Sequence, residues 1–219
     1  MGRVRGKSWM SEHVADAFVK RARAEGMRSR AAYKLAEIAG RDRLLQPGMV
    51  VVDLGAAPGG WSQVAAQRVG PRGRVIAVDL LDMPPLAGVH FIRGDLRDVS
   101  VMAELDRVLA GDQPGLVLSD MAPNLSGIAD VDQARALEVA ELARDFALKH
   151  LKPQGNLVVK TFQGAGYEGF LKSLKSRFRT VVARKPEASR DRSSEVYVLA
   201  KELQPAARTG AVSAAVQPK

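Results

Sequence analysis

The segment GNLVVKTFQG, residues 155–164, is an apolar run that ends in Lys160. Strands of parallel sheets are usually buried on both faces, so an ammonium there is poorly placed for hydration. It is well placed for chemistry, because an amine at a strand end can accept the proton of a hydroxyl or hold its oxygen in place. A second chemical signature is VVDLGAAPGGW, residues 51–61. Glycines at 55, 59 and 60 let the backbone turn sharply and pass close to a ligand, at the switch point where open parallel sheets bind. The spacing G-x-x-x-G-G is neither the G-x-G-x-x-G of a dinucleotide site nor a phosphate loop, which needs Gly-Lys-Ser/Thr. Alone, such a turn is equally plain strand-to-helix punctuation. Three acids sharpen it. Asp79 falls about 20 residues after the glycines, where a carboxylate can accept from both ribose hydroxyls. Asp95, in RGDLRD, can accept from an adenine amino group, and Asp120 follows a further strand. One aspartate after a strand is commonly a cap; three in register line a pocket.

These groups need a scaffold. With 219 residues, 46% of them hydrophobic, the chain can bury one substantial core, and a single domain is expected. Strands are expected at Val50–Leu54, Val75–Asp79, Val89–Ile92, Leu116–Ser119, Asn156–Thr161, Thr180–Ala183 and Glu195–Ala200. Helices are expected near Trp61–Arg68, Val101–Leu109, Asp132–His150 and Tyr167–Ser176. The alternation gives an α/β, doubly wound, mostly parallel sheet. Between Asp79 and Val89 the two prolines and short span call for a loop, and the last two strands are expected to form an antiparallel hairpin at the sheet edge. Two helices precede the sheet: one from Ser11 as N-cap, and SRAAYKLAEIAG with Gly40 as C-cap. Residues 1–10 are expected to be a flexible basic arm, 11–202 one domain with basic helices over 11–45, and 203–219 a disordered tail.

The net charge of +9 points to a polyanionic partner. Residues 1–43 and 172–192 each carry +6 and the remainder −3, a segregation that solubility alone does not require. The absence of cysteine excludes disulfides and thiolate chemistry. His13, His90 and His150 lack metal-ligand spacing, so no metal is expected. No run is long and apolar enough for a membrane span, and the start MGRVRGKSW lacks a signal core, so a cytoplasmic protein is expected.

The stretches VVDLGAAPGGWSQ, VIAVDLLDM, GDLRD, LSDMAPNLSG, LVVKTFQG and SSEVYVLA together resemble the FtsJ family of S-adenosylmethionine-dependent RNA 2′-O-ribose methyltransferases, from about Ser11 to Ala200. The resemblance implies a Rossmann-like class I methyltransferase fold with a seven-stranded, mostly parallel sheet and an antiparallel edge strand. It implies S-adenosylmethionine as donor and a ribose 2′-hydroxyl as acceptor, a uridine of 23S rRNA in the large ribosomal subunit. The family's Lys-Asp-Lys-Glu tetrad falls on Lys34, Asp120, Lys160 and Glu195, and its donor-binding positions on Gly59, Trp61, Asp79, Asp95 and Asp120.

That tetrad also makes chemical sense. Methyl transfer to a hydroxyl is an in-line displacement, and something must take the proton or orient the lone pair. A lysine in water titrates near 10.4, so service as a base near neutral pH asks for a fall of about three, about 4 kcal/mol. Burial and a neighbouring cation such as Lys34 act in that direction; Asp120 and Glu195 oppose it. Lys160 is thus assigned as general base, with an orienting role as the alternative, and Asp120, Glu195 and Lys34 as positioning partners. On residue type alone, Lys34 reads as a solvated helix lysine, Glu195 as a strand-end charge and Trp61 as core. Lys20, Arg21, Arg23, Arg28 and Arg30, and Arg177, Arg179, Arg184, Lys185, Arg190 and Arg192, are expected to converge on the site as phosphate contacts. With 5% aromatics, base stacking is a minor part of recognition. A monomer is expected. Methylation of tRNA or another RNA, a non-catalytic RNA-binding assembly protein, and a nicotinamide oxidoreductase are the competing readings.

Overall fold

The computed structural model describes residues 17–124, 126–189 and 194–205. The chain forms α1 (Ala17–Ala24), α2 (Ala31–Asp42), β1 (Val50–Leu54), α3 (Gly60–Val69), β2 (Arg74–Asp79), β3 (Val89–Arg93) and α4 (Val99–Leu109), followed by β4 (Leu116–Ser119), α5 (Ala129–His150), β5 (Asn156–Phe162), α6 (Tyr167–Lys175), β6 (Phe178–Arg184) and β7 (Glu195–Leu203). All seven strands join one sheet in the order β3-β2-β1-β4-β5-β7-β6. The order reverses between β1 and β4, which opens the crevice expected beyond the strand ends. The β2–β3 connection is a loop. Its residues, about nine in number, reach up to ~30 Å when extended, enough to return along a six-residue strand without a helix.

The last two strands form the expected antiparallel hairpin at one edge, with β7 inserted between β5 and β6. Within the hairpin it is the inner strand, β7, that runs against the rest; the outermost, β6, runs with them. Core residues divide between the two faces. Ile76, Leu105, Phe146 and Phe170 pack on the side of α4, α5 and α6, and Leu35, Ile38, Trp61 and Val64 on the side of α2 and α3.

Three expectations are corrected. Gly40 does not cap α2: the helix runs on to Asp42, and Arg43 takes the left-handed cap with φ 52°. The basic run from residue 172 to 192 does not converge on one place. Phe178 pairs with Leu203 and Arg184 with Tyr197, so Arg177 and Arg179 stand at the opposite end of β6 from the segment that follows Arg184. Several of the cations also have protein partners: Arg21 pairs with Glu25, Arg179 with Glu202, and Arg184 bidentately with Asp42. Ser11, the flexible arm, Arg190, Arg192 and the tail from 206 lie outside the described residues. Among the described residues, no helix is long and apolar enough to cross a membrane.

Candidate active site

Side chains alternate along a strand, so parity decides which layer each residue meets. Asp53 shares parity with Val51, Asp120 with Leu118, Lys160 with Val158, and Glu195 and Tyr197 with Leu199; those apolar neighbours belong to the α2/α3 face. Register then brings the polar residues together, since Lys160 lies directly opposite Tyr197 in the antiparallel pair. The fourth charge arrives from above. Lys34 lies one residue before Leu35 and one turn before Ile38 on the buried stripe of α2, and is only 6% exposed.

The result is a continuous chain of contacts. Lys34 Nζ donates to Glu195 Oε1 at 2.5 Å and to the Tyr197 hydroxyl at 3.0 Å. Tyr197 donates onward to Asp120 Oδ1 at 2.8 Å. Lys160 Nζ is 3.0 Å from the same Asp120 oxygen and donates to the Asp120 carbonyl at 2.6 Å. All four tetrad positions are thus joined, with Tyr197 as the bridge. Burial pushes the Glu195 carboxyl up, but the Lys34 ammonium against it, with Lys160 adding its field, holds it below the usual value. Burial, with Asp120 and Glu195 nearby, pushes the Tyr197 hydroxyl far above an ordinary phenol, so it stays a proton donor. Ser189, from the segment after β6, adds a 3.3 Å bond to Glu195 Oε1. That segment is held to α2 through the Arg184–Asp42 pair and the Glu187 N–H on Glu37.

Beside this network lies the glycine turn. A Cβ on Gly55, where φ is 75°, would press on the Met121 side chain and approach its Cα to 2.9 Å. A Cβ on Gly60 would collide with the Ser29 hydroxyl, so the turn and the start of α2 are in close contact. Between them is a cavity of about 160 Å³ with Gly55, Pro58, Trp61, Ala31 and Asp120 among its walls. Trp61 is 2% exposed, donates from its indole to Ala31 O at 2.7 Å and tilts against the Tyr197 ring at 5.4 Å. It is therefore a core residue and a cavity wall at once.

Asp79 caps two loops, accepting from Ala57 N and Leu81 N at 2.8 Å each. Asp95 holds Arg97 through both carboxylate oxygens, and that pairing keeps its carboxyl below the usual range. A buried acid not anticipated as a site residue, Asp53, lies in β1 beneath the turn. Its Oδ2 accepts from Ser62 Oγ at 2.6 Å while Oδ1 has no partner among the described residues. Burial pushes this carboxyl up to about 7, against the Ser62 bond and with the Asp120 and Asp79 charges adding. The sequence signal for Asp53 was its place inside an apolar strand; that for Tyr197 was its spacing two residues after Glu195, which puts both on one face.

A glycine cradle, a cavity and acids at the ends of β2, β3 and β4 suit a ligand that carries a ribose, an amine-bearing base and a positive centre. The cavity is smaller than the ~300–1,000 Å³ of a site for a whole drug-sized molecule, so it suits one end of such a ligand.

Comparison with known proteins identifies a family. The family described as FtsJ-like methyltransferase matches residues 27–203. The chain is similar to "Ribosomal RNA large subunit methyltransferase E" of Azoarcus sp. (strain BH72), with 61% identity over 197 residues, 90% of this chain and 96% of that one. It is similar to the protein of the same name from Stenotrophomonas maltophilia (strain K279a), with 59% identity over 192 residues, 87% and 91% of the two chains. Among solved structures, a Plasmodium falciparum protein described as a ribosomal RNA methyltransferase superposes with a TM-score of 0.73 at 27% identity, covering 80% of this chain and 98% of that one.

Proposed function

The chain belongs to the FtsJ-like methyltransferase family, and from that premise we propose that it methylates a ribose 2′-hydroxyl of RNA, a uridine of 23S rRNA in the large ribosomal subunit, with S-adenosylmethionine as donor. The observation that carries the reading is the unbroken Lys34–Tyr197–Asp120–Lys160 network, with Glu195 on Lys34, beside the glycine turn. The relatives' names support the choice of RNA and of the large subunit.

The donor supplies an electrophilic methyl on a sulfonium. In this reading Gly59, Trp61, Asp79, Asp95 and Asp120 hold it, with the acids favouring its positive centre and its hydroxyl and amine groups. Among the described residues Lys160 Nζ has two polar contacts, both to acceptors on Asp120, which fix its direction. One position remains on that nitrogen, and the ribose oxygen occupies it. There Lys160, in its neutral amine form, takes the proton as general base, while Asp120 holds the amine in line. Lys34 and Glu195 neutralise one another beside Tyr197, and Tyr197 fixes the Asp120 carboxylate from the other side.

The test uses labelled S-adenosylmethionine with large ribosomal subunits or naked 23S rRNA, followed by mapping of the modified nucleotide. Lys160→Ala should lower the single-turnover rate by about 10²–10⁴-fold while donor and RNA affinities stay within about twofold. Methyl transfer at the wild-type rate by that variant would refute the assignment, and tight binding of NAD in place of the donor would refute the methyltransferase reading.

A further inference from the structure

Arg28 lies between α1 and α2, and its guanidinium is engaged by carbonyls rather than by a carboxylate. Nη1 donates to Pro84 O at 2.6 Å and to Pro58 O at 3.4 Å, and Nη2 donates to Pro85 O at 2.5 Å. Prolines lack an N–H, so the loop through Pro84 and Pro85 has fewer backbone bonds with which to hold itself; its carbonyls converge on one planar fork. The three acceptors belong to two loops. Pro58 is in the glycine turn after β1, and Pro84 and Pro85 are in the loop after β2.

The backbone around Arg28 is fastened as well. Arg28 N–H donates to Gln63 Oε1 at 3.0 Å, and Gln63 Nε2 donates to Gly26 O at 3.0 Å, which ties the segment to α3. The fit is close: a Cβ on Gly59 would lie 2.9 Å from Met83 Sδ and 3.0 Å from Arg28 Cδ. Asp79 pins the same two loops through Ala57 N and Leu81 N. Three residues after Arg28, α2 begins at Ala31 and carries Lys34 into the network. Toward the N-terminus, α1 presents the exposed cations Lys20 and Arg23.

We propose that Arg28 is a positioning residue that couples the capture of RNA by the basic helices to the shape of the donor pocket. The inference rests on the RNA methyltransferase reading. A force on α1 or the 26–30 segment reaches both pocket loops through one side chain, so RNA and donor bind with a shared free energy. By thermodynamic reciprocity each then changes the affinity of the other by the same factor.

The experiment measures equilibrium binding of S-adenosylhomocysteine, which cannot react, with and without unmethylated large ribosomal subunits, for wild type, Arg28→Ala and Arg28→Lys. Wild type should bind about fivefold or more tightly when subunits are present. Arg28→Ala should bind about tenfold more weakly alone, show one affinity with or without subunits, and raise KM for the donor while kcat stays within about threefold. Arg28→Lys, which keeps the charge but reaches one carbonyl, should fall between and keeps the test informative if the alanine variant melts. Donor binding by Arg28→Ala with wild-type affinity and wild-type coupling overturns the proposal, as does a loss confined to RNA affinity, which would make Arg28 a phosphate contact. A wild-type protein that binds no S-adenosylhomocysteine overturns the methyltransferase reading with it.

Discussion

The glycine turn and the charge network share one edge of the sheet, yet they are assembled from the chain in different ways. The turn, Asp53, Asp79 and Asp95 all come from a single stretch, residues 53–95, folded as consecutive strands. The network draws on α2, the end of β4, β5 and β7, and its shortest ion pair joins residues 161 positions apart. A pocket built locally is held mainly by backbone geometry: positive φ at Gly55 and Gly59, and close approach at Gly60. A network built from distant parts is held by its own charges. Removing one member of the network should therefore disturb folding and chemistry together, whereas the pocket should register changes in its buried acid without losing its shape.

The contrast can be broken most forcefully at Lys34. Lys34→Ala takes from Glu195 the ammonium 2.5 Å from its Oε1, and breaking a buried ion pair costs about 3–5 kcal/mol. Urea unfolding should show a loss near 4 kcal/mol, and Glu195→Gln in the same chain should restore part of it. A loss below 1 kcal/mol would mean that the network is not a folding element.

The pocket is probed next, at Asp53. Its folded carboxyl titrates at about 7 because burial disfavours the charge, whereas the unfolded chain gives up that proton near 4. The folded state thus holds one more proton across this window, so stability from Asp53 is fully present below about 4 and is lost as pH rises through about 7. Between pH 5 and 7 wild type should lose about 2 kcal/mol relative to Asp53→Asn, at up to about 1.4 per pH unit. Parallel pH profiles for the two proteins would show that the acid is charged when folded.

The smallest effect is expected at the bridge. Tyr197→Phe keeps the ring against Trp61 but removes the hydroxyl between Lys34 and Asp120. Stability should fall by about 1–2 kcal/mol and kcat by about tenfold, with donor affinity unchanged. A tenfold change in donor affinity instead would move Tyr197 from the network to the pocket and blur the distinction.

The same contrast governs what could be read in advance. The sheet was legible because stretches such as residues 75–78 and 116–118 are uninterrupted apolar runs, and Asp79 and Asp120 lie at their ends. Strand ends were less so. β7 continues through Lys201 and Glu202 to Leu203, where cross-strand contacts such as Arg179–Glu202 support residues that look like a loop. The tetrad was found through resemblance to a family; on residue type alone Lys34 reads as a solvated lysine, because nothing local reveals that Glu195 waits beneath it. Its place on the Leu35–Ile38 stripe was the available hint. The basic run over 172–192 was read as one patch because sequence proximity hides the length of β6, which carries its two termini to opposite ends of the strands.

The insertion of β7 between β5 and β6 bears on how the molecule comes into being on the ribosome. Translation delivers the glycine turn, Asp120 and Lys160 well before residues 195–203, so a nascent chain can complete much of its parallel sheet while the slot beside β5 stands open. Lys34 then lacks its anionic partner until the final strand slides into that slot and zips against two neighbours at once, a late and long-range event of the slow kind. Until it does, the chain is a scaffold with reagents but no reaction centre, and a chain that stalls before residue 195 should be inert however well its earlier strands have formed.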